Sequence, residues 1–351
     1  MAETGAKRRL QMDVLRIVAS LMVVVLHVNG SKWSLADVAG SRWVAVHLMN
    51  TAVRSCVPLF FMLSGANFLS AEKLSLSKLL KKNILRLAVV YAFWTLLYAV
   101  DTVGLDVLFT PAGREPFISA LVISKYHLWF LRTLIGVYFL VPALHAVARH
   151  EGGRYLPFCC AAFFAFVVVK GTVLLYPGIS PHVQGLLWRV EYELAGYSGY
   201  FMLGYLLTKR DLLRRIKSRY LLLMLAAVIG VSAWLGHLHA VGLGRPSDIL
   251  YEYRHLPAFL GAVIIFVLFT RMQSARFDKY AGPIQTASKC TFVIYLLHPF
   301  VLEHLEGWFG ISALSFNAWV SVPAISVFVF LVCGLIALAL HKIPIVNKWL
   351  V

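Results

Sequence analysis

The chain has 351 residues, 60% of them hydrophobic, with 33 Lys and Arg, 16 Asp and Glu and a formal net charge of +17. That load of apolar side chains is too large for a water-soluble domain, and it excludes a disordered chain, a collagen, a coiled coil and a small disulfide scaffold. A nucleic-acid binder would gather its basic residues in a motif or on one polar face, and none is visible. The composition predicts an all-α polytopic membrane protein.

Lys7, Arg8 and Arg9 ahead of an apolar run resemble a secretory leader. The run contains Asp13, Arg16 and His27 and is followed by further spans, so it is expected to stay as an uncleaved first helix. Apolar runs, cut at charged or Gly/Pro-rich punctuation, fall at about 14–30, 52–70, 84–103, 127–147, 155–175, 187–207, 220–240, 255–271, 288–306 and 317–341. At about 20 residues per crossing, they predict ten transmembrane helices. With both termini cytoplasmic, the inner loops hold 22 of the 33 Lys and Arg, as the positive-inside rule requires. The same bias accounts for the net charge, since basic inner loops sit against anionic headgroups.

The expected organisation is a cytoplasmic tail over residues 1–12, a ten-helix membrane domain over 13–341 and a second cytoplasmic tail over 342–351. No loop exceeds about 20 residues, so any chemistry must use the helices and short loops. The five cysteines, Cys56, Cys159, Cys160, Cys290 and Cys333, lie in apolar stretches without metal or CxxC spacing and read as small core residues. No metal site is expected.

An ionisable side chain within a span costs about 3 kcal/mol or more and marks a functional candidate. In the first helix Arg16 and His27 are 11 residues apart, which puts them on one face, separated by a rise of about 16 Å. Ser20 shares that stripe. Lys82 and Arg86, four residues apart, share a face entering the third span, beside Lys81, which plain positive-inside charge explains equally well. Ser64-Gly65 in the second span reads as a close-packing site, because no G-x-S-x-G elbow surrounds the serine. His127, Trp129 and Arg132 open the fourth span, where an interfacial aromatic belt accounts for Trp129 as well as a sugar-stacking role does. Lys170, alone in the fifth span, is read as snorkelling outward. Glu191 and Glu193 stand beside Arg189 at the mouth of the sixth span, either as an ion pair or with Glu193 orienting a histidine or binding hydroxyls. His298 lies in the ninth.

Taken in order, Arg16-x10-His27, PLFFMLSG (58–65), KKNILRLAVVYAFW (81–94), YHLWFL (126–131), GYFMLGYLL (199–207) and IYLLHP (294–299) resemble the acyltransferase-3 family of membrane acyltransferases. Lys81 and Lys82 stand where that family often carries arginine. The resemblance implies a ten-helix enzyme of the cell (plasma or inner) membrane that moves an acyl group, commonly acetyl, from cytosolic acyl-CoA to a hydroxyl of an envelope carbohydrate or lipid-linked sugar. Without an appended hydrolase-like domain, the chain looks like the stand-alone type. Acyl-CoA is then a co-substrate, and no bound cofactor is implied. The residue chemistry agrees with this. His27 can take the alcohol proton, and Arg16, Lys82 and Arg86 can hold the CoA phosphates, with Arg16 also within the catalytic set. His127, Trp129, Arg132, Glu193 and His298 are the expected acceptor-binding residues. The alternative is a membrane transporter of a small solute such as an amino acid on the same scaffold, since intramembrane charges also line permeation paths.

Overall fold

The computed structural model describes residues 9–30, 32–173, 175 and 193–350, apart from the side chains of residues 106 and 193–195. Every regular element among the described residues is helical. In lipid a helix satisfies its own backbone N–H and C=O groups where no water can.

The principal helices are α1 (Leu10–Gly30), α2 (Ser41–Val53), α3 (Cys56–Phe68), α4 (Leu85–Val103), α5 (Pro111–Ile123), α6 (Trp129–Arg149) and α7 (Leu156–Phe163). They continue with α8 (Glu193–Lys209), α9 (Ser218–Leu243), α10 (Leu256–Thr270), α11 (Ala281–Phe309), α12 (Ala318–Leu340) and the short α13 (Pro344–Trp349). A π-helical turn over Leu79–Ile84 leads into α4 and carries Lys81 and Lys82. Such turns add a residue per turn and re-aim side chains.

Among the described residues helices lie on all or part of each of the ten apolar runs, and seven stretches are long and apolar enough to cross a membrane, or eight if a bent pair counts as one span. The expected sixth span, 187–207, lies partly outside the described residues. The described part of α8 has 17 residues, and α10 has 15 and meets the segment leading into α11 at 76°. Helix α2 lies where a loop was expected and joins α3 in one 28-residue apolar stretch.

Helix α1 packs against α2, α3, α10, α11 and α12, which makes it the hub of the bundle. Its residues enter two apolar cores. Leu15, Ala19, Val23 and Leu26 join α3, α6, α8 and α10, whereas Val24 and Val28 join α2, α11 and α12. The outward faces of α9 and α12 are apolar and exposed, with Leu222, Leu223, Phe328, Leu331 and Leu335 among them. This is the pattern a lipid-facing surface requires.

Helices α3 and α8 approach each other backbone to backbone. A Cβ on Gly65 would collide with the Phe201 backbone, and one on Gly204 with the Met62 backbone. The Ser64-Gly65 pair and the GYFMLGYLL run thus serve one purpose, to let two backbones touch. All five cysteines are free, and four of them are buried.

Candidate active site

Helices α1 and α11 run side by side in the same direction, and their polar stripes face each other. On α1 the stripe is Asp13, Arg16, Ser20 and His27. On α11 it is Ser288, Thr291, Tyr295 and His298, at helical spacings of three, four and three. Near the start of both helices, the Arg16 Nη1 donates to Asp13 Oδ1 at 3.0 Å and lies 3.0 Å from Ser288 Oγ. The Ser288 hydroxyl donates to the same Asp13 oxygen at 2.8 Å. Asp13 is buried, so this three-way network holds the guanidinium in one orientation and offsets the cost of placing it inside the bundle.

About three turns further on, His27 Nδ1 lies 3.0 Å from the Val23 carbonyl and 2.8 Å from His298 Nε2. His298 Nδ1 lies 3.1 Å from the Ile294 carbonyl. A carbonyl only accepts, so in the neutral pair His298 carries its proton on Nδ1 and presents the Nε2 lone pair to His27. His27 then carries its own proton on Nδ1, shared with Val23, and its Nε2 lone pair is left for a substrate. These protons are assigned from the bonding pattern. His298 is fully buried and supports His27, where an acceptor contact was expected.

His27 opens on a cavity of about 180 Å³ that extends from Arg16 to His127, Trp129 and Tyr253, with Phe60, Ser64, Phe130, Thr291 and Tyr295 in its walls. The lining is mainly apolar with a few convergent polar groups, the usual make-up of a small-molecule site. His127 is 1% exposed, and neither ring nitrogen meets hydrogen-bond geometry with a protein partner. Buried polar nitrogens normally have partners, and these two line a cavity that can supply one. Trp129 stacks on Tyr253 at 5.8 Å between centroids. Arg54 clamps the loop that bears Tyr253. It donates to the Tyr251 carbonyl at 3.1 Å and to Asn50 Oδ1 at 2.7 Å, with its guanidinium 4.1 Å from the Tyr251 ring centroid. Burial pushes the Tyr253 phenol upward, so its hydroxyl stays protonated across the physiological range.

A second, basic cavity of about 690 Å³ abuts the first through Leu134 and Phe292, which line both. Lys82 and Arg86 line it together with Lys289. The structure therefore gathers His27, Arg16, His127 and Trp129 around one chamber and Lys82 and Arg86 around its neighbour. Arg132 is exposed and lines neither cavity. Glu193 opens α8, but its side chain lies outside the described residues, as do Arg189 and Glu191. Among the described residues, no three His, Cys, Asp or Glu side chains are placed to hold a metal.

Sequence reasoning missed Asp13 and Ser288 as the clamp on Arg16, and Tyr253 as a wall. Asp13 was in view at i−3 from Arg16, and Ser288 falls on the stripe that ends at His298. Tyr253 lies in a loop, where no periodicity points to it.

One family model, described as an acyltransferase domain, matches residues 9–338. No curated protein and no solved structure matches the chain.

Proposed function

The chain belongs to the acyltransferase-3 family of membrane acyltransferases, and from that premise we propose that it moves an acyl group, commonly acetyl, from acyl-CoA to a hydroxyl of an envelope carbohydrate or lipid-linked sugar. The observation that carries this reading is the His27–His298 pair. It presents one basic nitrogen, in one tautomer, to a cavity whose other end holds a fixed cation.

The acceptor hydroxyl approaches from the His127 and Trp129 side, with His127 taking part in its hydrogen bonding and Trp129 and Tyr253 offering apolar faces to a sugar ring. Its oxygen bonds to the thioester carbonyl carbon as His27 Nε2 removes the hydroxyl proton. His298 and the Val23 carbonyl stabilise the imidazolium that forms. The tetrahedral intermediate then expels CoA as the thiolate, which takes that proton back from His27. One ester and one free thiol result, and His27 is again neutral. The phosphates of the donor lie at the basic cavity near Lys82 and Arg86, and its arm runs past Arg16. The rise of about 16 Å from Arg16 to His27 is one that an extended pantetheine arm covers. The basic end is placed in the cytoplasm on the Lys/Arg bias, in a multi-pass protein of the cell membrane.

The test is CoA release from acetyl-CoA by the purified protein in nanodiscs. His27→Ala is expected to lower the rate by about 10²- to 10⁴-fold, the usual worth of a positioned base. Wild-type turnover in that variant would remove His27 from the chemistry, whereas solute flux in vesicles by a protein that turns over no acetyl-CoA would replace the enzyme with a transporter.

A further inference from the structure

The basic cavity has more in it than Lys82 and Arg86. Lys289 enters from α11, one residue after the Ser288 that grips Arg16, and His341 and Asn347 enter from the end of the chain. Three cations from two distant segments thus face one space, and among the described residues lining it none is acidic. Like charges brought together without an acidic neighbour favour a polyanionic occupant.

The C-terminal wall is held in place. His341 Nδ1 lies 2.9 Å from Asn347 Oδ1, and the Trp94 indole N–H donates to the Leu350 carbonyl at 3.4 Å, which ties the segment to the helix that bears Arg86. This leaves His341 Nε2 buried and without a hydrogen-bond partner at the cavity. Asn83 adds a second carboxamide to the lining. Cations alone would suit inorganic phosphate. Cations beside two carboxamides and an unpartnered imidazole nitrogen, in about 690 Å³, suit a phosphorylated nucleoside, whose base edge offers both donors and acceptors.

We propose that this cavity binds the adenine-nucleotide end of the donor, with Lys289 and His341 as binding residues and α13 with its flanks as the clasp that closes the site. The identification of that nucleotide with acyl-CoA rests on the acyltransferase reading above. It follows that the donor is recognised by its nucleotide, and that an acyl group on pantetheine alone binds without the help of this site.

Equilibrium binding of acetyl-CoA, adenosine 3′,5′-bisphosphate and S-acetylpantetheine to the full-length protein in nanodiscs tests this. Lys289→Ala should weaken the first two by about tenfold or more, the scale of one charge-assisted contact. Lys289→Arg should restore them, and His341→Ala should weaken them several-fold. S-acetylpantetheine should bind all variants as it binds the wild type. Unchanged binding of both nucleotide probes to Lys289→Ala and His341→Ala overturns the site, and leaves the acyltransferase reading intact if CoA release still depends on His27. Loss of bisphosphate binding in Lys289→Ala, in a protein that turns over no acyl-CoA, upholds the nucleotide site and removes the acyltransferase reading.

Discussion

At the scale of single residues the site is built from pairs. His27 does not act from its ring alone, because the nitrogen it offers is decided by what its other nitrogen touches. His298 holds that second nitrogen at 2.8 Å and has no place in the cavity wall, which makes it a positioning residue. His298→Ala should therefore lower kcat, by less than the roughly 10⁴-fold that loss of a tautomer-fixing partner costs in acyl-transfer triads, because the Val23 carbonyl still holds His27 Nδ1. The KM for acetyl-CoA should stay near wild type. His298→Gln, whose side-chain carbonyl can still accept from His27 Nδ1, should recover part of the rate. A parallel rise in KM would mean that His298 shapes donor binding instead. Arg16 follows the same rule, since Asp13 and Ser288 settle where its guanidinium points before any substrate arrives.

At the scale of helices the sequence was most legible where a property repeats at a fixed spacing. Arg16 and His27 could be placed on one face because 11 residues make three turns, and the structure finds both lining one chamber. The partner stripe on α11 has the same regularity, but only His298 on it belongs to a residue type that ordinarily changes charge near neutral pH, so Ser288, Thr291 and Tyr295 attracted no notice. Bends are different. The 76° turn between α10 and the segment leading into α11 depends on how neighbours pack, and no local composition encodes it. Close approach was partly readable, since Ser64-Gly65 announced it without naming α8 as the partner. Gly65→Leu and Gly204→Leu should each abolish folded protein in detergent, because the new side chain meets backbone that has nowhere to go. Gly65→Ala, which adds only the Cβ that meets the Phe201 backbone, should lower the unfolding temperature by an amount that reflects about 3 kcal/mol or more, measured by thermal unfolding in the same detergent. A wild-type melting profile for Gly65→Ala would show that α3 and α8 sit further apart than described.

At the scale of the whole molecule, charge and apolar surface are segregated along one axis. Cations collect near Lys82, Arg86 and Lys289, and the middle is apolar. The far end is bound by ion pairs, Lys32 with Glu306 at 2.5 Å and Lys125 with Glu303 at 2.7 Å. Attraction of a polyanion to exposed cations is screened by salt, with a Debye length of about 8 Å at 0.15 M. The KM for acetyl-CoA should accordingly rise several-fold between 0.05 and 0.5 M salt, roughly the range over which the Debye length falls to a few ångströms. The KM for S-acetylpantetheine should hardly move. Equal salt sensitivity for the two substrates would place the charge effect away from the donor's phosphates.

The meeting of the two cavities at Leu134 and Phe292 bears on the cell as well as on the reaction. A passage open to water from one face of a bilayer to the other would let protons run down their gradient and drain the energy stored across it. Two apolar side chains where the cavities meet would deny water the hydrogen bonds it needs to form a continuous file. A resting protein closed in this way would stay tight to ions, and in the proposed reaction the donor's own arm would take the place of the seal while it occupied the passage.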